Sequence, residues 1–286
     1  MSKFFDQTVK SRDRLVSEEE LKLVTVQEFL ESSASGAPPS PHLGVSRLEF
    51  CRKLQTPLAN HLPTQFKGSD ALEAAEESYR ALRTRLLRLR SAQGLHSVVI
   101  TSAVPGEGKT ITSLNLALSC AQLRDMRVLL IDADVRTNGL SRRLGCHAGP
   151  GLAEILVGSC EPEQAILATD IPGIFVLSSG SSSVAPAELF ASRNWQEFIG
   201  WCNESFQLVL VDSPPVLNLA DVELITAACD GVLIVVRAQH AKRDVLQKCA
   251  SQLDSKKLLG VVYNAAQIGA HRRYDYRAYL GNQTGE

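Results

Sequence analysis

The sequence predicts an α/β fold in which a doubly wound, mostly parallel sheet carries helices on both faces. Short apolar segments rich in Val, Ile and Leu alternate with helical segments, a glycine-rich loop joins one apolar segment to a helix, and two apolar segments end in aspartate. Alternating strands and helices build parallel sheets, which bind ligands at the carboxyl ends of their strands. We therefore expect a ligand site where the loop and the aspartates meet.

The alternation of strands and helices runs from residue 97 to residue 263. Apolar, β-branched segments predict strands at 97–102, 127–132, 174–178, 207–212, 231–236 and 258–263. The segments between them predict helices at 109–123, 151–157, 186–204, 219–228 and 241–254. A longer helix is expected before the first strand, at about 71–93. The apolar side chains that recur there at helical spacing are Tyr79, Leu82, Leu86 and Leu89.

Composition divides the chain of 286 residues into three parts. Residues 1–70 are predicted to be a helical and irregular extension, with a Ser- and Pro-rich linker at 32–41, and are a candidate docking region. Residues 71–268 form the predicted α/β domain. Residues 269–286 are predicted to be a flexible, tyrosine-rich tail.

The overall charge and the cysteine pattern exclude several classes of protein. A formal net charge of −1 gives no indication of a nucleic-acid partner. No apolar run approaches the roughly 20 residues that a membrane span needs. The seven cysteines include no C-x-x-C pair and no zinc-ligand spacing. We expect reduced thiols in a cytoplasmic protein.

The loop V-P-G-E-G-K-T at 104–110 has the sequence and context of a phosphate-binding P-loop, and so predicts a P-loop NTPase. Glycines let backbone amides turn inward around a polyphosphate, and the following helix N-terminus adds its dipole. Lys109 can reach the β- and γ-phosphates, and the Thr110 hydroxyl can bind Mg²⁺. The predicted ATP-binding residues are Pro105, Gly106, Glu107, Gly108, Lys109, Thr110 and Ile111. An accidental glycine-rich turn is disfavoured by the complete G-K-T between a strand and a helix.

Two predicted strands end in carboxylates. Asp132 and Asp134 close the segment 127–134, and Asp212 ends the segment 207–212. Mg²⁺ prefers hard oxygen ligands, and an attacking hydroxyl needs a base within hydrogen-bond reach. The three aspartates are therefore candidates for metal binding and proton acceptance. The alternative is that they cap turns or helices.

Taken together, these motifs resemble those of the bacterial tyrosine kinases, or BY-kinases, of capsule and exopolysaccharide systems. Residues 103–110 match the Walker A motif, although Ala103 replaces its first glycine; residues 129–136 match the family's Walker A′ motif; and residues 210–215 match Walker B. The similarity runs from about Glu76 to Ala266. It implies an ATP- and Mg²⁺-dependent protein-tyrosine kinase of the stand-alone type that regulates polysaccharide synthesis and export.

The resemblance also implies roles for individual residues. Lys109 and the loop amides would hold the phosphates, while Thr110, Asp134 and Asp212 would hold Mg²⁺. Asp132 would accept the proton of the incoming tyrosine. Asn264, in the segment L-L-G-V-V-Y-N, would lie beside the adenine.

The family forms rings and phosphorylates its own tail, and both features have counterparts in this chain. Glu77, Arg80 and Arg83 match the E-x-x-R-x-x-R motif that joins subunits; a salt-bridged, solvated helix face is the alternative. Three of the five tyrosines lie near the C-terminus, and the resemblance makes them autophosphorylation sites. These are Tyr274, Tyr276 and Tyr279. A terminal element that uses tyrosine for amphipathic contacts is the alternative.

The implied setting is the inner face of the plasma membrane, reached through a membrane-embedded adaptor of the chain-length-regulator type. Other tyrosine-phosphorylated proteins are further candidate partners. The alternative function is a non-kinase P-loop ATPase switch that regulates polysaccharide assembly through its oligomeric state. Residues 137–144 lack the proline and histidine common in the family, so those contacts are not carried over. Val104 stands where partition and division-site ATPases have a signature lysine, and the absence of that lysine argues against this subgroup.

Overall fold

An eight-stranded sheet organises the residues that the computed structural model describes, which are residue 48 and residues 51–58, 69–218 and 221–265. All of them belong to one compact unit, Leu43–Glu286. Most of the predicted N-terminal extension and the whole predicted tail, 269–286, lie outside the described residues. The boundaries predicted for these two parts therefore remain predictions.

The strands follow the predicted alternation closely. They are β1 (Arg52–Lys53), β2 (Ser97–Ser102), β3 (Val128–Asp132), β4 (Leu167–Ala168), β5 (Ile174–Leu177), β6 (Leu208–Asp212), β7 (Gly231–Arg237) and β8 (Leu258–Asn264). Their order across the sheet is β1-β4-β5-β3-β6-β2-β7-β8. The strands from β5 to β8 in this order all run parallel. Among the strand pairings that the structure describes, only β4–β5 is antiparallel.

Nine α-helices and one 3₁₀ turn connect the strands within the described ranges. The helices are α1 (Ser69–Gln93), α2 (Lys109–Ala121), α3 (Gly139–Arg143), α4 (Leu152–Leu156), α5 (Pro162–Ala165), α6 (Pro186–Ala191), α7 (Arg193–Ser205), α8 (Asp221–Ala228) and α9 (Arg243–Ser251). The 3₁₀ turn is Val216–Asn218. None of the helices in these ranges is long and apolar enough to cross a membrane.

The central strands β2, β3 and β6 are buried on both faces, since successive strand residues point in opposite directions and each direction meets a core. Along β3, Val128 and Leu130 pack in one core with Leu114 of α2, while Leu129 and Ile131 pack in a second core that holds residues of α4, α6, α7 and α8. Helices therefore cover both faces, which confirms the predicted fold class. Such two-sided burial explains why the strands read as continuous apolar runs.

Three details of the secondary structure differ from the sequence prediction. The single helix expected at 186–204 is two helices, because Ser192 adopts an extended conformation (ψ 152°) and its hydroxyl donates to the Leu189 carbonyl at 2.6 Å. The strands β1 and β4, each two residues long, were not predicted. Neither were α3 and α5. Elements this short carry too few residues to show a period.

Candidate functional site

The carboxyl edge of the sheet gathers residues from six consecutive parallel strands. From β5 to β8 across the sheet, the contributing groups are Ser179, Asp132, Asp212, the loop 103–108, His240 and Asn264. The loop and the two aspartates follow three adjacent strands, β2, β6 and β3. The sequence motifs are therefore neighbours in space, as predicted for the edge at which such sheets bind ligands.

The phosphate loop depends on glycine for its shape. Gly106 and Gly108 both have positive φ, at 84° and 94°, in the left-handed region that favours glycine. A Cβ atom at residue 108 would lie 2.1 Å from the Nδ2 atom of Asn264. The loop then leads directly into α2, which begins at Lys109. Its backbone conformation is that of a nest for an anion at a helix N-terminus.

Glu107 supports the loop from within. Its side chain is fully buried, and its Oε2 atom accepts hydrogen bonds from the amides of Ala103 and Val104, at 3.0 and 3.3 Å. We predicted Glu107 among the ATP-binding residues. In the structure its carboxylate faces the protein, so only its backbone is available to a phosphate.

Two side chains hold the loop from the β7–β8 side. The Nδ2 atom of Asn264 donates to the carbonyl oxygen of Glu107 at 2.9 Å, and Nε2 of His240 lies 3.1 Å from the carbonyl oxygen of Pro105. Asn264 was predicted to lie beside the adenine, and its amide braces the neighbouring loop. His240 was missed because no local motif marks it.

Asp212 and Thr110 provide a pair of hard oxygen atoms beside the loop. The Thr110 hydroxyl donates to Oδ2 of Asp212 at 2.7 Å, and the Ser113 hydroxyl donates to Oδ1 at 3.3 Å. Burial raises the pKa of Asp212 to about 7, and the negative charge of Asp132 adds to the rise, whereas the Thr110 bond and Lys109 oppose it. An added cation would relieve this unfavourable negative charge.

The available donors fit Mg²⁺ better than a metal enclosed by protein ligands. Within the described ranges, no group of three or more His, Cys, Asp or Glu side chains could hold a metal ion. All seven cysteines are free thiols in the structure, and within the described ranges none belongs to such a group. Mg²⁺ typically takes one or two protein oxygens and completes its shell with waters and substrate phosphates. Thr110 and Asp212 can supply the protein oxygens.

Asp132 lies directly across from Asp212, since the two residues are paired in the β3–β6 register. Its Oδ2 atom accepts two hydrogen bonds from Ser141, at 2.8 Å from the amide and 2.6 Å from the hydroxyl. Burial raises the pKa of Asp132 to about 6, although the Ser141 bonds lower it and the charge of Asp134 raises it further. The carboxylate is thus a buried acceptor poised near neutral pH.

Asp134 and Arg136 shape the turn that follows β3. The carboxylate of Asp134 accepts a hydrogen bond from the Thr137 amide at 3.1 Å, so it does cap a turn. Arg136 forms an ion pair with the buried carboxylate of Asp221 on α8, with Nε–Oδ2 at 2.9 Å. Asp221 was missed by the sequence analysis because it lies 85 residues from Arg136.

The helix predicted to join subunits makes contacts within its own chain. Arg80 forms ion pairs with Glu77 at 3.0 Å and Glu76 at 3.4 Å, all on the exposed side of α1. Arg83 donates to the carbonyl oxygen of Ser119 near the end of α2. These bonds match the alternative of a salt-bridged helix face, and the oligomer interface stays a prediction. The predicted phosphorylation sites lie outside the described residues, at Tyr274, Tyr276 and Tyr279.

The fold and the site together define a P-loop ATPase: a parallel sheet with a glycine-rich loop between β2 and α2 and acidic ends on two neighbouring strands. The AAA domain family matches residues 96–256, which contain the loop and both acidic strand ends.

Similar proteins of known name show which family of P-loop ATPases this chain resembles. Tyrosine-protein kinase YwqD of Bacillus subtilis is 33% identical over 202 residues, which cover 70% of this chain and 85% of the relative. Tyrosine-protein kinase CpsD of Streptococcus pneumoniae is 34% identical over 212 residues, covering 72% and 91%. The kinase domain of the Escherichia coli tyrosine kinase ETK superposes with a TM-score of 0.65 at 26% identity, covering 77% and 90%. The chain belongs to the bacterial tyrosine-protein kinase family, and the comparisons favour a tyrosine kinase over a non-kinase ATPase switch.

Proposed function

We propose that this protein transfers the γ-phosphoryl group of ATP to the tyrosines of its own C-terminal segment, and so regulates the synthesis and export of an exopolysaccharide or capsule. The proposed acceptors are Tyr274, Tyr276 and Tyr279. The observation that carries the proposal is the placement of Asp132 beside the Asp212–Thr110 pair, at the mouth of the phosphate loop. This arrangement offers a proton acceptor and a cation site next to a phosphate site.

ATP binding is assigned to the loop and to its supports. The backbone amides of residues 106–111 and the Lys109 ammonium would hold the phosphates, with the braces from Asn264 and Glu107 keeping the loop in shape. Thr110 and Asp212 would hold Mg²⁺, and Asp134 would do so through water. Bound Mg²⁺ neutralises charge on the phosphate oxygens.

The transfer step needs one base and one displaced group. The tyrosine oxygen forms a bond to the γ-phosphorus, and its proton passes to Asp132. The bond from the γ-phosphorus to the β–γ bridging oxygen breaks, and ADP leaves with that electron pair. Positioning and electrostatic stabilisation supply most of the catalysis in such reactions. The raised pKa of Asp132, about 6, suits a group that takes up a proton near neutral pH.

We further propose that a ring of subunits and a membrane-embedded adaptor form the working complex at the inner face of the plasma membrane. The ring would use Glu77, Arg80 and Arg83 of α1. Support comes from the match to the family motif and from the exposure of Glu77 and Arg80, whose side chains are 43% and 46% exposed. A neighbouring subunit's tail could then reach the aspartates.

Intact-mass measurement of the protein after incubation with ATP and Mg²⁺ tests the proposed activity. The matched control replaces the three tail tyrosines by phenylalanine, which removes only the hydroxyl groups. We expect phosphate on the wild type and none on the triple variant. ATP hydrolysis without phosphate transfer, both alone and with the cytoplasmic segment of the adaptor added, would favour the non-kinase switch instead.

A further inference from the structure

We infer that Ser141 is a positioning residue that decides which oxygen of Asp132 takes up the proton from the attacking hydroxyl group. The inference rests on the proposed function, in which Asp132 is the base. Ser141 lies in the segment 137–144, where the chain departs from the common family pattern, so the arrangement is built from this chain's own residues.

Ser141 occupies one oxygen of the Asp132 carboxylate. Both its amide and its hydroxyl donate to Oδ2, at 2.8 and 2.6 Å, and the residue is fully buried. A bond of 2.6 Å is within the short range expected between a hydroxyl and a carboxylate. Two donors on Oδ2 leave it little capacity to accept a further proton.

A second bond fixes the direction of the Ser141 hydroxyl. The amide of Ser179, at the end of β5, donates to Oγ of Ser141 at 2.9 Å. A hydroxyl has one hydrogen, and a donated amide bond to its oxygen leaves that hydrogen free to point at Asp132. The result is a buried chain of bonds from the Ser179 amide through the Ser141 hydroxyl to Oδ2.

The other oxygen, Oδ1, is left as the reactive one. Its hydrogen bond from the Asp134 amide is longer, at 3.2 Å, and leaves a lone pair free. The charged groups around this carboxylate are Asp134 on its own turn and Asp212 on β6, with Lys109 of α2 acting on Asp212. Ser141 therefore occupies Oδ2 and leaves Oδ1 as the oxygen that can receive the proton of the attacking hydroxyl.

A double-mutant cycle tests this role. Ser141→Ala removes the hydroxyl and keeps the backbone amide, and it is combined with Asp132→Asn. Turnover is measured as tail phosphorylation and as ATP hydrolysis, alongside the Kd for ATP. Ser178→Ala is the matched control, because Ser178 is equally buried but its hydroxyl lies 3.5 Å from the Pro150 carbonyl and does not contact Asp132.

We expect Ser141→Ala to lower turnover about 10-fold with ATP affinity unchanged, since a hydrogen bond to a charged group is lost. The same substitution should have no effect in the Asp132→Asn background, and Ser178→Ala should stay within two-fold of the wild type. An equal loss in the Asp132→Asn background, a parallel loss of ATP affinity, or unchanged turnover would each overturn the inference. If the protein hydrolyses ATP but does not phosphorylate its tail, the proposed function is contradicted and the inference about Ser141 is not. The rates of ATP hydrolysis in the four proteins of the double-mutant cycle would then test the inference.

Discussion

The phosphate loop and the aspartate edge lie side by side in the site, but backbone conformation dominates the first and buried charge dominates the second. The conformation of the loop depends on two glycines with positive φ and on hydrogen bonds from Asn264 and His240 to its carbonyl oxygens. Charge dominates the aspartate edge, where Asp132 and Asp212 are paired across β3 and β6 and have their pKa values raised by burial. Changes in the loop should therefore act mainly on ATP affinity, and changes in the aspartates on turnover and on pH-dependent stability.

The largest effect is expected from adding one methyl group to the loop. Gly108→Ala should weaken ATP binding about 100-fold or more, because alanine is strained at φ 94° and its Cβ would collide with Nδ2 of Asn264. Isothermal titration with ATP and Mg²⁺ measures the affinity.

A double variant separates the two causes of this loss. Gly108→Ala with Asn264→Ala should bind ATP more weakly than Asn264→Ala alone, since the collision is absent from both and only the backbone strain at residue 108 differs. If Gly108→Ala bound ATP as tightly as the wild type, ATP binding would not depend on the glycine conformation of the loop.

The aspartate edge should respond to pH. The folded pKa of Asp212, about 7, lies above its unfolded value of 3.8, so its favourable contribution is complete below about pH 4 and is lost as pH rises to 7. Asp212→Asn should therefore stabilise the nucleotide-free protein at pH 8, by about 2–4 kcal/mol. Urea unfolding at each pH measures the difference.

Comparing the stability gain of Asp212→Asn at pH 5 and at pH 8 provides an internal control. The gain in stability should shrink at pH 5, where the wild-type carboxyl is largely protonated. A gain that is equal at pH 5 and pH 8 would show that charge is not its cause.

Two ion pairs of different burial should differ in strength. Arg136→Ala should destabilise the protein by about 1–2 kcal/mol, because it leaves the buried carboxylate of Asp221 without its partner. Arg193→Ala breaks an exposed pair with Glu197 on α7 and should cost about 0.5 kcal/mol or less. Equal melting temperatures for the two variants would show that the ion pair with the buried Asp221 contributes no more to stability than the exposed pair.

The smallest effect on stability is expected at α1. Arg80→Ala removes only exposed ion pairs with Glu76 and Glu77, so the melting temperature should barely change. If α1 joins subunits, the same variant should reduce the mass measured by light scattering toward that of a monomer. An unchanged oligomer would leave the salt-bridged helix face as the better interpretation.

The sequence predicted the parts of the site that are contiguous in the chain. The loop around Lys109 and the carboxylates after β3 and β6 each follow an apolar strand, so local pattern and strand geometry were enough to place them together. The same reasoning predicted the parallel sheet with helices on both faces.

Contacts between distant residues could not be predicted in this way. Asn264 reaches the Glu107 carbonyl across 157 residues, and the inward orientation of the Glu107 side chain depends on the folded loop. Ser141 was missed as a partner of Asp132 because it sits on α3, which is too short to show a helical period. Asn264 and Ser141 each support a motif from outside it.

We expect the loop to determine ATP affinity and the aspartates to determine turnover. The decisive test of this expectation is the rate of tail phosphorylation at saturating ATP and Mg²⁺, compared between wild type and Asp132→Asn. Loss of a general base costs about 100-fold or more, so the rate should fall by that factor while the Kd for ATP stays within about three-fold. An unchanged rate, or a loss of ATP binding that accounts for the slower reaction, would contradict the assignment of Asp132 as the proton acceptor.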